Sequence, residues 1–329
     1  MSKLKGRIKK GAILIISLLL LVLIISFGDL NQIYAHLKEI SIFQLFILLA
    51  LMSLAMLVRA WRWKFFLADE SKIPFLRIVP IFFAGKAVTG LTPGNAGEPI
   101  RSVFLKQMEG IPVSKSMKSI IVERVIDLLI VLFFSCYVLI FYLQNLIGKL
   151  WPGYLFLLIL ILTALLFLFS RKFSLFILTT LTKLFKRQEK IKHFLNLFIN
   201  SFCDSTVKKR TFFWGIIISL FIWALDGLVF FIIFTFLGEK INFFFLLSAF
   251  SLSVIVGLVS LLPGGLGSLE GGFVLLLVMV GMDKNVAITG ALVGRFVNYV
   301  YPMFLGYLFF LMLQKHRKKE ALKEAPKIV

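Results

Sequence analysis

Thr92-Pro93-Gly94-Asn95-Ala96-Gly97-Glu98 interrupts one apolar stretch of the chain, and Leu262-Pro263-Gly264-Gly265-Leu266-Gly267-Ser268-Leu269-Glu270 interrupts another. In each, a proline and several glycines stop a helix, and a glutamate follows among otherwise apolar neighbours. Each break is followed by an intact apolar run with an arginine near its start, Arg124 after the first and Arg295 after the second. Pro93 to Arg124 is 31 positions, and Pro263 to Arg295 is 32.

The surroundings of the two breaks set the solvent. Of 329 residues, 60% are hydrophobic and 16% charged, against roughly 25% charged in a soluble domain. A bilayer core needs roughly 20 apolar residues per helical crossing. Runs at 11–27, 42–60, 119–143, 153–170, 211–237 and 287–313 have that character, as do the broken stretches 73–111 and 242–281. Lipid leaves no water for open sheet edges, and the runs lack the alternation of a barrel strand. The expected fold is therefore all-α. It is a polytopic membrane protein forming a single transmembrane domain over 1–329, with repeat halves at about 42–143 and 211–313. No small-residue cleavage site follows the first run, so it reads as a retained span rather than a signal peptide.

Loop charge sets the expected orientation. Lys+Arg number 37 against 16 Asp+Glu, a formal net charge of +21. The N-terminus carries Lys3, Lys5, Arg7, Lys9 and Lys10, and the segment after the second run carries Arg59, Arg62, Lys64, Lys72 and Arg77. Segment 171–210 and the tail beyond Leu313 are also strongly basic, whereas the alternate loops hold Lys38, Lys149, Lys240 and Lys284 alone. Both termini and the basic segment 171–210 are expected on the cytoplasmic side of the cytoplasmic membrane. The nearest partner for this charge is anionic lipid rather than nucleic acid. Segment 171–210 reads equally as an amphipathic interfacial helix or a solvated basic loop.

With that orientation, stretch 73–118 enters and leaves by the cytoplasmic face, and stretch 242–286 by the outer face. Re-entrant hairpins and short pairs of crossings both satisfy this parity. Opposite insertion with matched spacing is what an inverted repeat produces, and interrupted segments at matching places point to a transporter's substrate site.

Five acids, Glu98, Glu123, Asp127, Asp226 and Glu270, fall in or beside apolar runs, with Lys86, Arg101, Arg124 and Arg295 as basic counterparts. A charge at the bilayer centre costs about 2.5–3.5 kcal/mol even on the lenient insertion scale. Such groups are expected to pair or to line a wet cavity. Glu123 and Asp127, four apart, share a helix face. A helix start within each break favours anions, Gly264, Gly265 and Gly267 would admit a head group close to the backbone, and arginine suits phosphate. Snorkelling arginines, neutralised by nearby acids, are the plainer reading of each charge taken singly. Cys136 and Cys203 form no disulfide framework or metal spacing, and His36, His193 and His316 lie in separate segments. No cofactor, metal or nucleophile–base pair is expected, and no phosphate loop for ATP is present.

At these residues the chain resembles the flippase-like membrane family that includes the transmembrane part of lysylphosphatidylglycerol synthases. The resemblance rests on Pro93-Gly94-Asn95-Ala96-Gly97-Glu98 with Arg101, and on Glu123-Arg124 with Asp127. It continues in Pro263-Gly264-Gly265-Leu266-Gly267 with Glu270, then Arg295 and Tyr299. It implies movement of an anionic phospholipid or a lipid-linked intermediate between leaflets. It also places the candidate substrate-binding set at Glu98, Arg101, Glu123, Arg124, Asp127, Gly264, Gly265, Gly267, Glu270, Arg295 and Tyr299. The soluble aminoacyl-transfer domain of the synthases has no counterpart after the short basic tail, so that activity is not expected. Flippase or scramblase action is therefore the leading function, downhill or coupled to an ion through a buried acid. An ion-coupled transporter of a small anionic solute and a membrane-embedded enzyme on a lipid-linked substrate are the alternatives. A lateral opening separates the first alternative from lipid transport, and product formation would reveal the second.

Overall fold

A computed structural model of the chain describes residues 19–67, 73–92, 97–142 and 208–324, with single positions in 15–17 and 151–180. Pro93, Gly94, Asn95 and Ala96 of the first break lie outside the described residues. So do residues 1–14, most of the run at 153–170, and nearly all of the basic segment 171–210. Every regular element among the described residues is helical.

In chain order the helices are α1 (Leu30–Glu39), α2 (Ile42–Leu67), α3 (Phe75–Gly90), α4 (Ile100–Glu109) and α5 (Val113–Tyr142). There follow α6 (Lys209–Phe236), α7 (Phe243–Val259), α8 (Ser268–Met279), α9 (Lys284–Arg295) and α10 (Tyr301–Glu324). A single π-helical turn, Phe296–Val300, joins α9 to α10. The N-terminal helical piece Leu19–Ser26 bends by 91° into α1. Side-chain caps fix several starts: the Asn242 carboxamide oxygen accepts from Phe244 and Phe245 N–H, and Asp283 accepts from Asn285 and Val286 N–H.

Among the described residues, four helices are long and apolar enough to cross a membrane, α2, α5, α6 and the α9–α10 rod over Lys284–Lys315, and the bent pair of Leu19–Ser26 with α1 makes a fifth if it is one span. The 26, 30, 28 and 32 residues of the four give lengths of ~39 to ~48 Å at about 1.5 Å per residue, beyond a hydrocarbon core of about 30 Å. The two broken stretches behave differently. Stretch 73–111 becomes α3 and α4, with 16 and 10 residues. Stretch 242–281 becomes α7 and α8, with 17 and 12 residues. At ~15 and ~18 Å, α4 and α8 are too short to cross. Each stretch thus forms two helices, of which the second is shorter than a membrane crossing.

The helices of the two broken stretches pack on helices distant in sequence. α3 packs along α10, and α7 packs against α5 as well as against its own partner α8. α6 lies against α2 and α7. In lipid there is no hydrophobic drive between helices, so close packing has to come from small residues. Gly290 and Gly294 of α9 supply it, because the rings of Phe234 and Phe230 occupy the places their side chains would fill. Phe230, Phe250 and Phe273 then stack on one another, with Phe230 and Phe250 centroids 4.6 Å apart.

The second apolar run does not end at Ala60. α2 continues to Leu67, so Arg59, Arg62 and Lys64 are helical residues and not part of a loop. Arg62 is only 3% exposed. Charge within an apolar run suggests an exit from the membrane, and that places the expected end of the run too early. In fact Met52, Met56, Arg59 and Arg62 follow helical spacing along one face.

Candidate functional site

All five acids are buried, none more than 8% exposed. Each lies against an arginine from another part of the chain or the next turn of its own helix. α2, α3, α4, α5 and α6 converge to make the larger cluster. Arg62 reaches across from α2 to α5, placing Nη1 2.6 Å and Nη2 3.1 Å from the two oxygens of Asp127. The same Nη1 donates to Ser219 Oγ on α6 at 2.6 Å. Arg62 Nε lies 3.4 Å from Glu123 Oε1. Arg124 Nη2 is 2.8 Å from Asp127 Oδ2, and its Nε is 2.9 Å from Glu98 Oε2. Lys86, from α3, approaches the other Glu98 oxygen at 3.9 Å. Arg59 pairs with Asp226 on α6, and Arg101 pairs with Glu123. The Arg101 guanidinium also sits 4.7 Å from the Trp63 ring centroid, a cation–π contact.

These charges surround a cavity of about 210 Å³. Arg59, Arg62, Lys86, Arg124, Glu98, Asp127 and Asp226 line it, with Met52, Met56 and Trp223 as apolar wall. The Arg101–Glu123 pair stands behind it and is absent from the lining.

The second break builds a smaller cluster. Leu261, Gly264, Gly265 and Gly267 all adopt positive φ, which turns the chain back at the end of α7. Glu270, three residues into the N-terminal turn of α8, reaches back to accept from Gly267 N–H at 2.7 Å. That is the reach-back half of a capping box. Arg295 Nη1 lies 2.8 Å from Glu270 Oε1 and donates to the Gly264 carbonyl at 2.9 Å. Its guanidinium lies 3.7 Å from the Tyr299 ring centroid. The Tyr299 hydroxyl donates to the Gly90 carbonyl, so one side chain ties the second break to the end of α3 in the first hairpin.

A cavity of about 160 Å³ adjoins this cluster, lined by Phe230, Phe273, Gly264, Glu270, Arg295 and Tyr299 among others. Phe250, Val254 and Asn298 line both cavities. Asn298 sits in the π-helical turn, a feature common where a helix must aim a side chain at a functional site.

Of the residues singled out by sequence, Glu98, Arg124 and Asp127 line the charged cavity, and Gly264, Glu270, Arg295 and Tyr299 line the apolar one. Arg101 and Glu123 belong to the charged cluster without lining its cavity. Gly265 and Gly267 line neither. A side chain at Gly265 would press on the Gly257 backbone, and one at Gly267 on Leu20 and Leu21. These glycines serve close chain packing. The start of α8 is likewise occupied by Glu270 from the same turn, so the anion favoured there is supplied by the chain itself. Sequence reasoning missed Arg59, Arg62, Trp223 and Asn298 as site residues. It named Lys86 and Asp226 as buried charges but left them out of the site.

The Tyr299 contact has a measurable consequence. Tyr299→Phe keeps the ring on Arg295 and loses only the bond to Gly90, so it is expected to cost about 1 kcal/mol. Tyr299→Leu also removes the stack and is expected to cost a further ~0.5–2 kcal/mol. Unfolding of the detergent-solubilised variants checks the order. Equal midpoints for the wild type and both variants would contradict it.

A bundle of long apolar helices, two pairs of shorter ones and two buried clusters of ion pairs define a polytopic helical membrane protein with a charged interior. The model of the lysylphosphatidylglycerol synthase transmembrane region matches residues 12–306, and the chain belongs to that family. A UPF0104 membrane protein of Pyrococcus horikoshii is 26% identical over 94% of this chain and 98% of its own length. One from Methanocaldococcus jannaschii is 24% identical over 95% of this chain and 97% of its own. The inner membrane protein YbhN of Escherichia coli is 34% identical over 27% of this chain and 28% of its own.

Proposed function

We propose that the protein moves an anionic lipid, or a lipid-linked intermediate, between leaflets, with both termini cytoplasmic and the two hairpins related as an inverted repeat. The observation that carries this reading is the buried ion-pair network around a cavity. Burying an ion pair returns little or no net stability compared with well-packed apolar residues. Intramembrane charges of this kind mark ion and substrate pathways. Two clusters that together set five acids against six bases, Arg59, Arg62, Lys86, Arg101, Arg124 and Arg295, are hard to account for as structural reinforcement.

The adjoining apolar cavity favours an amphiphile over a small solute. A head group in the charged cavity would meet arginine forks from α2 and α5. The root of its tail would cross the shared wall of Phe250 and Val254 toward Phe230 and Phe273. The reciprocal packing of α3 on α10 and α7 on α5 supports the paired-halves reading. In such a pair, rocking one hairpin against the other exposes a central site to alternate faces. The Tyr299–Gly90 bond would have to break and reform in that motion.

Reconstitution tests the reading. In vesicles with a labelled anionic phospholipid in one leaflet, the wild type is expected to speed equilibration over protein-free vesicles. Arg124→Ala is expected to slow it at least tenfold, because it removes a cavity-lining cation that bridges Glu98 and Asp127. Arg295→Ala is expected to slow it as well. Wild-type rates in both variants, or no acceleration by the wild type, would sink the proposal.

A further inference from the structure

We infer that the Phe250 ring is a gate between the charged cavity and the apolar one, and that it opens for a ligand carrying an apolar group on its polar end. The inference rests on the reading of the charged cavity as part of a translocation path, and adds the side chain that controls passage beyond it.

Three side chains form the wall common to both cavities: Phe250 and Val254, one turn apart on α7, and Asn298 from the π-helical turn. The chemistry changes across that wall. On one side stand the arginines, Lys86 and the carboxylates of the larger cluster. On the other, Phe230, Phe273 and Leu269 surround the single Arg295–Glu270 pair. Phe250 meets both sides. Its ring centroid lies 6.1 Å from that of Trp223, which lines the charged cavity. It lies 4.6 Å from Phe230 and 6.2 Å from Phe273, which line the apolar cavity.

Of the three, Phe250 is the one free to turn. Val254 is β-branched, and a helix leaves such a residue one strongly preferred rotamer. Asn298 is tied down through Nδ2, which donates to the Gly294 carbonyl at 3.1 Å. The Phe250 side chain has no hydrogen bond to hold it and borders cavities on two sides, where a close-packed core would leave it no room. Turning costs the ring its stack on Phe230. An apolar group arriving from the charged cavity restores that contact by packing on Phe230 and Phe273 itself, so it favours the open position. A wholly polar ligand has no such preference for the open form and cannot shift the gate. The ring therefore selects amphiphiles over small polar solutes, including the small anions that the arginines alone would admit.

Cysteine labelling of the full-length protein reads the gate without reference to transport. In a background of Cys136→Ala and Cys203→Ala, Ala291→Cys places a thiol in the apolar cavity; Ala291 is 4% exposed and does not line the charged one. Lys86→Cys marks the charged cavity as a control. Protein in lipid vesicles is treated with sulfonatoethyl methanethiosulfonate, which is water-soluble. Lys86→Cys is expected to react in every background. Ala291→Cys is expected to react about tenfold faster with Phe250→Ala, about threefold faster with Phe250→Leu, and more slowly with Phe250→Trp. In vesicles with a labelled anionic phospholipid, Phe250→Ala is expected to speed equilibration about fivefold and Phe250→Trp to slow it about fivefold. Opposite directions separate a gate from a packing residue, since disturbed packing slows both variants. Equal labelling of Ala291→Cys whatever residue stands at 250, or slower lipid movement in both Phe250→Ala and Phe250→Trp, overturns the inference. Labelling that follows residue 250 in a protein that moves no lipid supports the gate and overturns the lipid reading of the path. Lipid movement by the wild type with labelling and rate unmoved by either variant overturns the gate alone.

Discussion

Arg62→Ala is expected to lower the stability of the protein by about 3–5 kcal/mol, the range for breaking a buried ion pair from one side. Arg62 is the hub of the charged cluster. It holds both oxygens of Asp127, donates to Ser219, and lies 3.4 Å from Glu123. Removing it leaves Asp127 with Arg124 and a long bond from the Trp223 indole N–H, and leaves Ser219 without its donor. The arginine stem also fills space between α2, α5 and α6 that alanine does not, so lost packing adds to lost charge. Lysine at this position keeps the charge but not the planar fork, and is expected to recover only part of the loss. The decisive comparison is with Asp127→Ala and with the double variant. Because the two residues share one interaction, the double variant is expected to be less damaged than the sum of the singles. Unfolding in a mixed detergent titration measures all three. A loss below 1 kcal/mol for Arg62→Ala, or strict additivity, would show that the network is not a coupled unit.

The same residue marks the limit of what the sequence discloses. The helical membrane class, the two interruptions and the acids within apolar runs are all visible as composition and spacing, because lipid penalises charge and leaves helices as the available structure. The partners of those acids are not visible. Arg62 meets Asp127 across 65 positions and Arg59 meets Asp226 across 167, and no local pattern encodes such pairings. Treating charge as the end of a span hid Arg59 and Arg62, although their spacing from Met52 and Met56 continues one helix face. The glycines of the second break were legible as a break but not in detail. Their positive φ follows from residue type, whereas the neighbours that close on them, Tyr299, Gly257 and Leu20, come from distant parts of the chain. Asn298 reaches the shared wall from a π-helical turn, which the hydrophobic pattern does not announce.

Gly264→Ala is expected to cost about 2–5 kcal/mol, from two separable causes. Gly264 has φ +56°, and a left-handed conformation costs an L-residue about 1–2 kcal/mol. In addition, the new methyl group would be driven into the ring of Tyr299, and overpacking of this kind costs about 1–3 kcal/mol. The ring has little room to retreat, since it stacks on Arg295 at 3.7 Å and its hydroxyl is bonded to Gly90. Any retreat therefore loosens the tie between the second break and the first hairpin. Gly265→Ala has a similar backbone conformation, φ +66°, but meets only the Gly257 backbone at 3.1 Å, and is expected to be the milder of the two. Tyr299→Ala introduced into the Gly264→Ala protein removes the collision but not the backbone cost. If steric conflict with the ring dominates, the second change is less harmful in that background than in the wild type. The unfolding midpoints of the four proteins decide between the causes. A Gly264→Ala protein as stable as the wild type would mean that the second break does not close on Tyr299 as described.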